Sequence, residues 1–335
     1  MLLALLIAQT SPFLATDQTR ADAVRLKALE TPGKVIFADG FEGTSPLRSY
    51  FEVRGEKEGW VKIVELPHSG RHALACTSPN RNGAASGAGV SYWFGEGASP
   101  NDSSQAPADF WRTSWDTPSR PLASEGPPSP ASQVRERRLE RCELPSAGRG
   151  AEKVYLRYYI KFKDDYDQGY LNHTGVAITA AAGDNKWRGM GTAGIKPGGD
   201  DYFIASFESW RDWGRVPAPG YAFFYTYWME MARDKDGHFW GNMLGPKEQE
   251  RFVFKRGVWT CCELMVKCNT PGRNDGELAA WIDGKLYVDY TGLRWRSGPD
   301  VLLKRFGLDA YVHQATRDNT VYYDDVVLST GYVGP

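Results

Sequence analysis

The 335-residue sequence predicts an all-β protein, a two-sheet antiparallel β-sandwich. The clearest evidence is the stretch 276–290, in which alternating apolar residues flank Asp283-Gly284. Asp-Gly suits the tight turn of a β-hairpin, because both central positions of a type I′ turn need a positive φ. Short strand-like runs bounded by Gly, Pro and Ser recur before and after this hairpin. That rhythm is typical of sandwiches and barrels.

The remaining strands are predicted from the same signals. Before residue 95 they cover 34–37, 59–66 and the residues up to Thr77 that follow the turn at Ser69-Gly70. Later in the chain they cover 153–162, 221–231, 258–267, 306–312 and 321–329. In the strand 221–231, the most aromatic of all, side chains alternate between two faces. One of its faces therefore carries Tyr221, Phe223, Tyr225, Tyr227 and Met229.

The chain is predicted to fold as one domain over residues 34–335, with a Pro- and Ser-rich insertion at 95–150. Residues 1–33 are predicted to be a signal-like or disordered lead-in. The apolar start is shorter than the roughly 20 residues that span a bilayer. An export signal cleaved near Ala15 fits this stretch, and a disordered or helical tail is the alternative. The first interpretation predicts a secreted, periplasmic or extracellular protein.

Composition narrows the class of partner. The net charge is −1, so no overall field attracts nucleic acid or an anionic membrane. We therefore expect no nucleic-acid partner and no integral membrane association. A monomer is also expected. Aromatic residues are abundant, with 12 Trp and 17 Tyr. We expect most of them in the core and some as platforms on which sugar rings stack.

The cysteines give little evidence of a metal site. The five are Cys76, Cys142, Cys261, Cys262 and Cys268, and no Cys-x-x-Cys pair is present. A structural zinc site is therefore not expected. In an exported protein one or two disulfides would leave an odd thiol. Because Cys261 and Cys262 are neighbours in one predicted strand, only one of them can face the core.

The familiar catalytic motifs are missing from the sequence. It lacks the Glu-x-Asp-x-x-Glu pattern that places both acids of a glycosidase on one strand face, and it lacks Gly-x-Ser-x-Gly, Walker and His-Glu-x-x-His motifs. β-Elimination from uronic acid polymers needs no carboxylate pair. It needs a group that neutralises the C5 carboxylate, a base for the C5 proton and an acid for the leaving oxygen. His, Tyr, Arg, Asn and Gln side chains can supply all three functions.

Several stretches resemble polysaccharide lyases of families 14 and 20, the alginate and glucuronan lyases, which have a concanavalin A-like β-jelly-roll fold. Phe37–Glu42 and the C-terminal strand resemble the two edges of such a jelly roll. The resemblance extends in order over Tyr158–Tyr166, Asn172–Val176, Phe203–Arg211, Tyr225–Tyr227, Asp283-Gly284 and Asp324-Asp325. In family 14 the cleft carries a lysine, a Ser-x-Arg pair and a Tyr-x-Tyr pair. Here Asn172 or His173 stands at the lysine, and Ser206-x-Glu208 replaces Ser-x-Arg.

The resemblance and the residue chemistry together imply a set of site residues. His173 is predicted to act as base or neutraliser, since its pKa lies near neutrality. Tyr225 or Tyr227 is predicted as acid or base. Arg188 offers a bidentate fork for a carboxylate, although a solvated loop arginine is the alternative. Further substrate-binding residues are predicted at Asn172, Ser206, Glu208, His313 and Gln314.

A structural calcium ion is a separate expectation, because jelly rolls of this class often hold one between the first and last strands. The candidate ligands are Asp39, Glu42, Asp324 and Asp325. Ordinary strand-end carboxylates are the alternative interpretation. No organic cofactor is expected.

The sequence thus favours a secreted polysaccharide lyase that cleaves a uronate-containing polysaccharide, alginate-like or glucuronan-like, by β-elimination. Two alternatives stay open. One is a carbohydrate-binding jelly-roll module without catalysis, which the replaced lysine and Ser-x-Arg favour. The other is a glycoside hydrolase whose carboxylates lie on separate strands. In each case the partner is a polysaccharide.

Overall fold

The structure is a computed structural model that describes residues 23–95, 150–234 and 236–335. This part of the chain holds a short helix, α1 (Ala23–Leu29), and fifteen strands. Up to residue 95 the strands are β1 (Val35–Asp39), β2 (Glu52–Arg54), β3 (Val61–Val64), β4 (Ala73–Ser78) and β5 (Ser86–Trp93). They continue with β6 (Lys153–Phe162), β7 (Gly175–Ala181), β8 (Tyr202–Trp210), β9 (Tyr221–Tyr227) and β10 (Asn242–Leu244). The last are β11 (Thr260–Lys267), β12 (Gly276–Ile282), β13 (Lys285–Leu293), β14 (Leu302–Val312) and β15 (Asn319–Ser329).

The strands form two sheets. One is eight-stranded, in the order β13-β12-β11-β6-β15-β4-β3, with β1 also paired to β15. The other is seven-stranded, in the order β10-β9-β8-β7-β14-β5-β2. The named strands pair antiparallel throughout. The prediction of a two-sheet antiparallel β-sandwich is therefore confirmed.

One hydrophobic core lies between the sheets and contains side chains from both. In β7, for example, Val176 and Ile178 belong to this core, while Ala177 and Thr179 point the other way, because side chains alternate along a strand. Strands on both sides of residues 96–149 share each sheet, as β4 pairs with β15 and β5 with β14. The insertion at 95–150 lies almost wholly outside the described residues, so its bounds stay a prediction.

The hairpin at Asp283-Gly284 is confirmed. It joins β12 to β13, and both turn residues have positive φ, 48° for Asp283 and 74° for Gly284. The aromatic strand is shorter than predicted, since β9 ends at Tyr227 and Met229 lies beyond it. Strands β2, β5, β7, β8 and β10 were not among the predicted strands. Of these, β2 and β10 are short and β5 and β7 are rich in Gly and Ala, so their apolar alternation is weak.

Part of the lead-in predicted over residues 1–33 is the helix α1. Helix α1 lies against the outer face of the eight-stranded sheet, where Leu29 is buried with Tyr155 and Trp281. The Arg25 guanidinium bonds to Asp289 and Glu277 on that face. These partners are more than 250 positions away along the chain, so a local pattern gave no signal of the docking. The predicted export signal lies in residues 1–22, outside the described residues.

The four described cysteines are free and buried, which does not support the disulfide expectation within this part of the chain. Cys142 lies outside it. Cys262 belongs to the core between the sheets, whereas Cys261 is not part of that core. The prediction that only one of the two faces the core is therefore confirmed. No helix in the described ranges is both long and apolar enough to cross a membrane.

Candidate active site

A cleft of about 800 Å³ lies on the outer face of the seven-stranded sheet. Strands β7, β8, β9 and β14 supply its floor, and loop residues 189–193 and 240–241 form part of its wall. The floor carries the side chains that alternate away from the core. In β14 these are Arg305, Asp309 and Tyr311, with His313 just beyond the strand end.

Strand register aligns these side chains in two rows across the sheet. The first row runs through Arg54, Gly89, Asp309, Gly175, Glu208 and Phe223. The second runs through Glu52, Ser91, Gly307, Ala177, Ser206, Tyr225 and Met243. Residues directly opposite each other on neighbouring strands lie within about 4.5–5.5 Å. Antiparallel pairing alone therefore gathers residues from all seven strands of this sheet at one surface.

Two glycines of β5 make room for the cleft side chains of β14. A Cβ at Gly87 would lie 2.8 Å from the Tyr311 ring, and one at Gly89 would clash with the Asp309 carboxylate. The side chains of Asp309 and Tyr311 therefore lean across the neighbouring strand. Only glycine leaves that space, and this close approach explains the Gly-rich composition of β5.

His173 lies at the centre of the cleft, directly before β7. Its Nδ1 is 2.8 Å from Oε2 of Glu208, whose side chain is only 6% exposed, whereas that of His173 is 25% exposed. Because a carboxylate accepts hydrogen bonds, this contact favours the Nδ1–H tautomer and leaves the lone pair of the neutral ring on Nε2. Burial alone would lower the pKa of His173, but the charge and hydrogen bond of Glu208, with a contribution from Asp309, outweigh it and raise that pKa.

Tyr225 and Tyr227 stand beside His173, as the period of the strand predicted. The rings of His173 and Tyr225 are 4.8 Å apart, and those of Tyr225 and Tyr227 are 5.7 Å apart. The Tyr225 hydroxyl accepts a 2.9 Å hydrogen bond from the backbone N–H of Gly241. Burial, and next the neighbouring Tyr227, raise the pKa of Tyr225 well above its usual range. At neutral pH Tyr225 is therefore a protonated phenol.

His313 and Tyr311 complete the aromatic wall next to His173. The His313 ring is 5.2 Å from the His173 ring and 5.1 Å from the Tyr311 ring. Burial, together with the charge on His173, lowers the pKa of His313 to about 3. His313 is therefore uncharged at neutral pH. Of the two histidines, only His173 is positioned to change protonation near neutrality.

A buried charge network lies at the other side of the cleft. The Arg54 guanidinium bonds to the Asp309 carboxylate and lies 3.8 Å from Glu52. Glu52 accepts a 2.7 Å hydrogen bond from the Ser91 hydroxyl. Burial raises the pKa of both Glu52 and Asp309, although Arg54 opposes that change in each case. The arginine therefore favours the ionised form of two carboxyl groups that burial disfavours.

Arg305 is the second buried cation of the cleft. Its guanidinium donates to the Lys186 carbonyl at 2.6 Å and to the Thr179 hydroxyl at 3.0 Å. Burial lowers the pKa of Arg305 to about 10, so it still carries its charge at neutral pH. Neither Arg54 nor Arg305 was predicted from the sequence. A signal for Arg305 was present, since Arg305, Asp309, Tyr311 and His313 all fall on one alternating set of positions in the run 305–313.

Most of the predicted site residues share this cleft. Its lining includes Asn172, His173, Ser206, Glu208, Tyr225, Tyr227 and His313. Two predicted residues do not belong to that lining: Arg188, which is exposed in the turn after Asn185, and Gln314, which is exposed beyond the end of β14. Asn172 is buried and donates to the Ser209 hydroxyl at 3.2 Å, so part of its hydrogen-bonding capacity is used within the fold.

The four predicted calcium ligands do not share a coordination site. Glu42 accepts backbone hydrogen bonds from Arg71 and His72. Asp324 accepts from the backbone of His68 and Ser69, and Asp325 bonds to the side chains of these same two residues. Within residues 23–95, 150–234 and 236–335, no group of three or more His, Cys, Asp and Glu side chains could hold a metal ion. The structure therefore does not gather the four carboxylates around one point, and calcium binding stays a prediction from the sequence.

Comparison with known proteins gives structural matches only. No family model matches the sequence. The curated proteins give no match. Among solved structures, the marine PL-14 alginate lyase from Aplysia kurodai is 14% identical with a TM-score of 0.53, covering 89% of this chain and 99% of that chain. Alginate lyase Aly36B is 15% identical with a TM-score of 0.51, covering 92% and 98%.

A third match is alginate lyase vAL-1 from Chlorella virus, which is 12% identical with a TM-score of 0.51 and covers 89% of this chain and 100% of that chain. Identities this low show the fold and leave the reaction open. The chain therefore has the jelly-roll fold found in polysaccharide lyases, and the distant resemblance predicted from the sequence is confirmed.

Proposed function

We propose that the protein is a polysaccharide lyase that cleaves a uronate-containing polysaccharide by β-elimination. The observation that carries this proposal is the His173 cluster: an imidazole bonded to a buried carboxylate, with a protonated phenol 4.8 Å from it between ring centres. An oriented base next to an acid is what elimination needs. The cluster lies in a cleft large enough for a chain of sugars, on a fold shared with alginate lyases.

In the proposed step His173 accepts one proton and Tyr225 donates another. Nε2 of neutral His173 takes the proton from C5 of the uronate, and the electron pair of that bond forms the C4=C5 double bond. The C4–O bond breaks, and the Tyr225 hydroxyl protonates the leaving glycosidic oxygen. Glu208 holds the imidazole in the required tautomer and stabilises the imidazolium, the role that a carboxylate has in other histidine-based sites.

Arg305 is the proposed partner of the uronate carboxylate. A guanidinium has five N–H donors, and the structure assigns two of its nitrogen atoms to Lys186 and Thr179. Its buried positive charge would offset the negative charge that develops on the carboxylate when C5 loses its proton. Arg305 takes the role that the sequence analysis gave to Arg188, which lies outside the cleft lining.

The test is a panel of uronate polymers followed by ultraviolet absorbance of the unsaturated product. We expect absorbance to rise with at least one polymer for the wild type, and not for His173→Ala or Tyr225→Phe. Both variants should keep the far-ultraviolet circular dichroism of the wild type. If no polymer is cleaved with a rise in absorbance, the lyase proposal is wrong.

A glycoside hydrolase is the second candidate, and one observation favours it. Asp309 and Glu208 share a row of the sheet with only Gly175 between them. Two strand spacings separate their backbones by about 10 Å. Inverting hydrolases hold their two carboxyl groups about 6.5–9.5 Å apart. New reducing ends without ultraviolet absorbance would identify hydrolysis, whereas binding without either product would identify a carbohydrate-binding module.

The finer parts of the proposal depend on the sequence alone. Export, a monomeric state, the lack of nucleic-acid partners and the lack of an organic cofactor stay predictions. The solved alginate lyases support the lyase class. The identity of the polymer needs evidence from this cleft itself.

A further inference from the structure

Two tryptophans at the rim of the cleft are strongly exposed. Trp213 is 60% exposed and Trp240 is 46% exposed, and both belong to the cleft lining. Trp213 lies just after β8, where Trp210 pairs with Tyr221 at the start of β9. Trp240 lies just before β10, which pairs with the other end of β9. The two indoles therefore lie towards opposite ends of β9, with Tyr225 between them in sequence.

The backbone at Trp213 has an unfavourable conformation that leaves the indole exposed. Asp212 and Trp213 have φ values of 47° and 55°, and Gly214 follows with 89°. The left-handed region is unfavourable for a residue with a Cβ. The Asp212 carboxylate lies 3.5 Å from Arg251, and the Arg211 side chain donates to the Val216 carbonyl at 3.1 Å. These contacts fix the loop in a conformation that exposes a large apolar ring.

Trp240 is tied directly to the proposed catalytic residues. Its neighbour Gly241 donates the backbone hydrogen bond to the Tyr225 hydroxyl. A Cβ at Gly241 would lie 2.5 Å from the Tyr225 ring, so the chain passes this phenol at the closest distance that backbone allows. The backbone of Trp240 is therefore one residue from a direct contact with Tyr225. A sugar held on that indole would be placed next to the proposed general acid.

The charges of the cleft do not suit a polymer with a carboxylate on every sugar. Among the described lining residues, the fixed cations are Arg54 and Arg305. The carboxylates are Glu208, Asp234, Asp236 and Asp309, of which Glu208 is bonded to His173 and Asp309 to Arg54. Arg54 already bonds to Asp309, which leaves Arg305 as the arginine without an ion pair to a carboxylate in the structure. Further carboxylates brought beside these acids would be repelled by them.

We propose that the cleft binds a glycan in which single uronates are separated by neutral sugars, with the uronate at Arg305 and the neutral sugars stacked on Trp213 and Trp240. The apolar C–H faces of neutral pyranoses pack against aromatic rings without needing a cation. This inference rests on the proposed function and narrows its substrate. It predicts weak use of polyuronates such as those that the structurally similar alginate lyases are named for.

The first experiment compares two linear polysaccharides that contain glucuronate. In polyglucuronate every sugar carries a carboxylate, whereas in deacylated gellan the glucuronates are separated by neutral sugars. For each polymer, cleavage is followed by ultraviolet absorbance and binding by affinity electrophoresis. We expect wild type to bind and cleave gellan about tenfold or more better than polyglucuronate. Equal or stronger binding of polyglucuronate would overturn the inference.

The second experiment tests the platforms with single variants. Trp213→Ala and Trp240→Ala should each weaken gellan binding about tenfold, as truncation of an aromatic anchor does, while Trp→Phe at the same positions keeps most of it. Trp259→Ala is the matched control, because Trp259 is a half-exposed tryptophan that lies directly before β11 of the other sheet. If the rim variants bind gellan as tightly as the control variant does, the proposal that Trp213 and Trp240 stack on neutral sugars is wrong.

Binding and cleavage separate the two levels of the proposal. If gellan binding depends on the rim tryptophans but absorbance does not rise, the lyase proposal is wrong and the proposed substrate class stands. If absorbance rises with polyglucuronate and not with gellan, the lyase proposal stands and the proposed substrate class is wrong.

Discussion

The outer faces of the two sheets both carry buried charges, yet they differ in what covers them. On the eight-stranded sheet, helix α1 and the C-terminal residues lie over the charged side chains. Arg25 bonds to Asp289 and Glu277, and Glu263 accepts the backbone N–H groups of Val333 and Gly334. Asp289, Glu277 and Glu263 there each have a partner supplied by the chain that covers them.

On the seven-stranded sheet the comparable charges line an open cleft. Glu208 faces His173, Asp309 faces Arg54, and Arg305 bonds to a carbonyl and a hydroxyl. No helix covers this face in the described residues. The cleft side chains border a cavity of about 800 Å³, whereas the charges of the other face lie beneath α1 and the C-terminal residues.

The comparison shows that burial and an altered pKa do not identify a functional group by themselves. Glu263 has its pKa raised to about 7, chiefly by burial, and lies beneath the C-terminal residues. His173 also has a raised pKa and borders a cavity. Access distinguishes the two cases. We call the outer face of the seven-stranded sheet the open face and that of the eight-stranded sheet the closed face. Changes on the open face should affect activity, and changes on the closed face should affect stability.

The largest expected effect is the loss of elimination in His173→Ala. Removing a general base costs on the order of 100-fold to 10,000-fold in rate. Initial rates on the best polymer measure the loss, and thermal unfolding checks that the variant is folded. His72→Ala is the matched control, since it removes a histidine 3.1 Å from the carboxylate of Glu42, outside the cleft lining, and should leave the rate unchanged.

The pH profile distinguishes a base from a structural histidine. Neutral His173 is the active form, so kcat/KM should rise with pH until the pH passes its raised pKa. In Glu208→Gln the carboxylate that helps to raise this pKa is gone, so the ascending limb should move to lower pH. An unchanged limb would contradict the assignment of His173 as the base.

The second-largest effect is a loss of stability on the closed face, expected for Arg25→Met. The change leaves Asp289, whose side chain is 2% exposed, without its cation. Breaking a buried pair costs about 3–5 kcal/mol, and the 27% exposure of the Arg25 side chain places the expected loss near 2–3 kcal/mol. Urea unfolding measures it. Lys163→Met, which breaks the exposed pair with Asp165, should cost less than about 1 kcal/mol. Activity per folded molecule should be unchanged in both variants.

The sequence predicted the sandwich and the main hairpin because both follow from local signals. Alternation along a strand also placed Tyr225 and Tyr227 on one face, and the cleft confirms that placement. Local patterns cannot give the order of strands in a sheet. The row that joins Asp309 to Glu208 through Gly175 depends on that order, so the charge network was not predictable from the pattern.

Loop residues were the weakest part of the site prediction. Arg188 and Gln314 were predicted from their side-chain chemistry, and both lie outside the cleft lining. Neither belongs to a strand, so strand alternation could not predict the direction of its side chain. Arg54 was missed since β2 has only three residues and shows no period. Trp213 depends on a left-handed backbone at two non-glycine positions, which sequence patterns rarely reveal.

A third, smaller effect tests Glu263 on the closed face. Its folded pKa is about 7 against an ordinary value of 4.5, chiefly because it is buried. The folded state therefore binds a proton in that window that the unfolded state has released, so stability falls as pH rises from 4.5 to 7. Glu263→Gln removes this decline. We expect the variant to gain about 2 kcal/mol relative to wild type between pH 5 and pH 8, measured by urea unfolding at each pH. Parallel curves would show that Glu263 does not titrate in this range.

The smallest effect is expected at the carboxylates proposed as calcium ligands. Glu42, Asp324 and Asp325 already accept hydrogen bonds from the segment 68–72, which supplies backbone and side-chain donors at these oxygens. A chelator should therefore change the melting temperature by less than about 1 °C, since only a ligand that binds the folded state shifts it. Differential scanning fluorimetry with chelator, and then with excess calcium, measures the change. A clear fall that calcium restores, and that Asp324→Asn abolishes, would mean that these side chains rearrange around an ion.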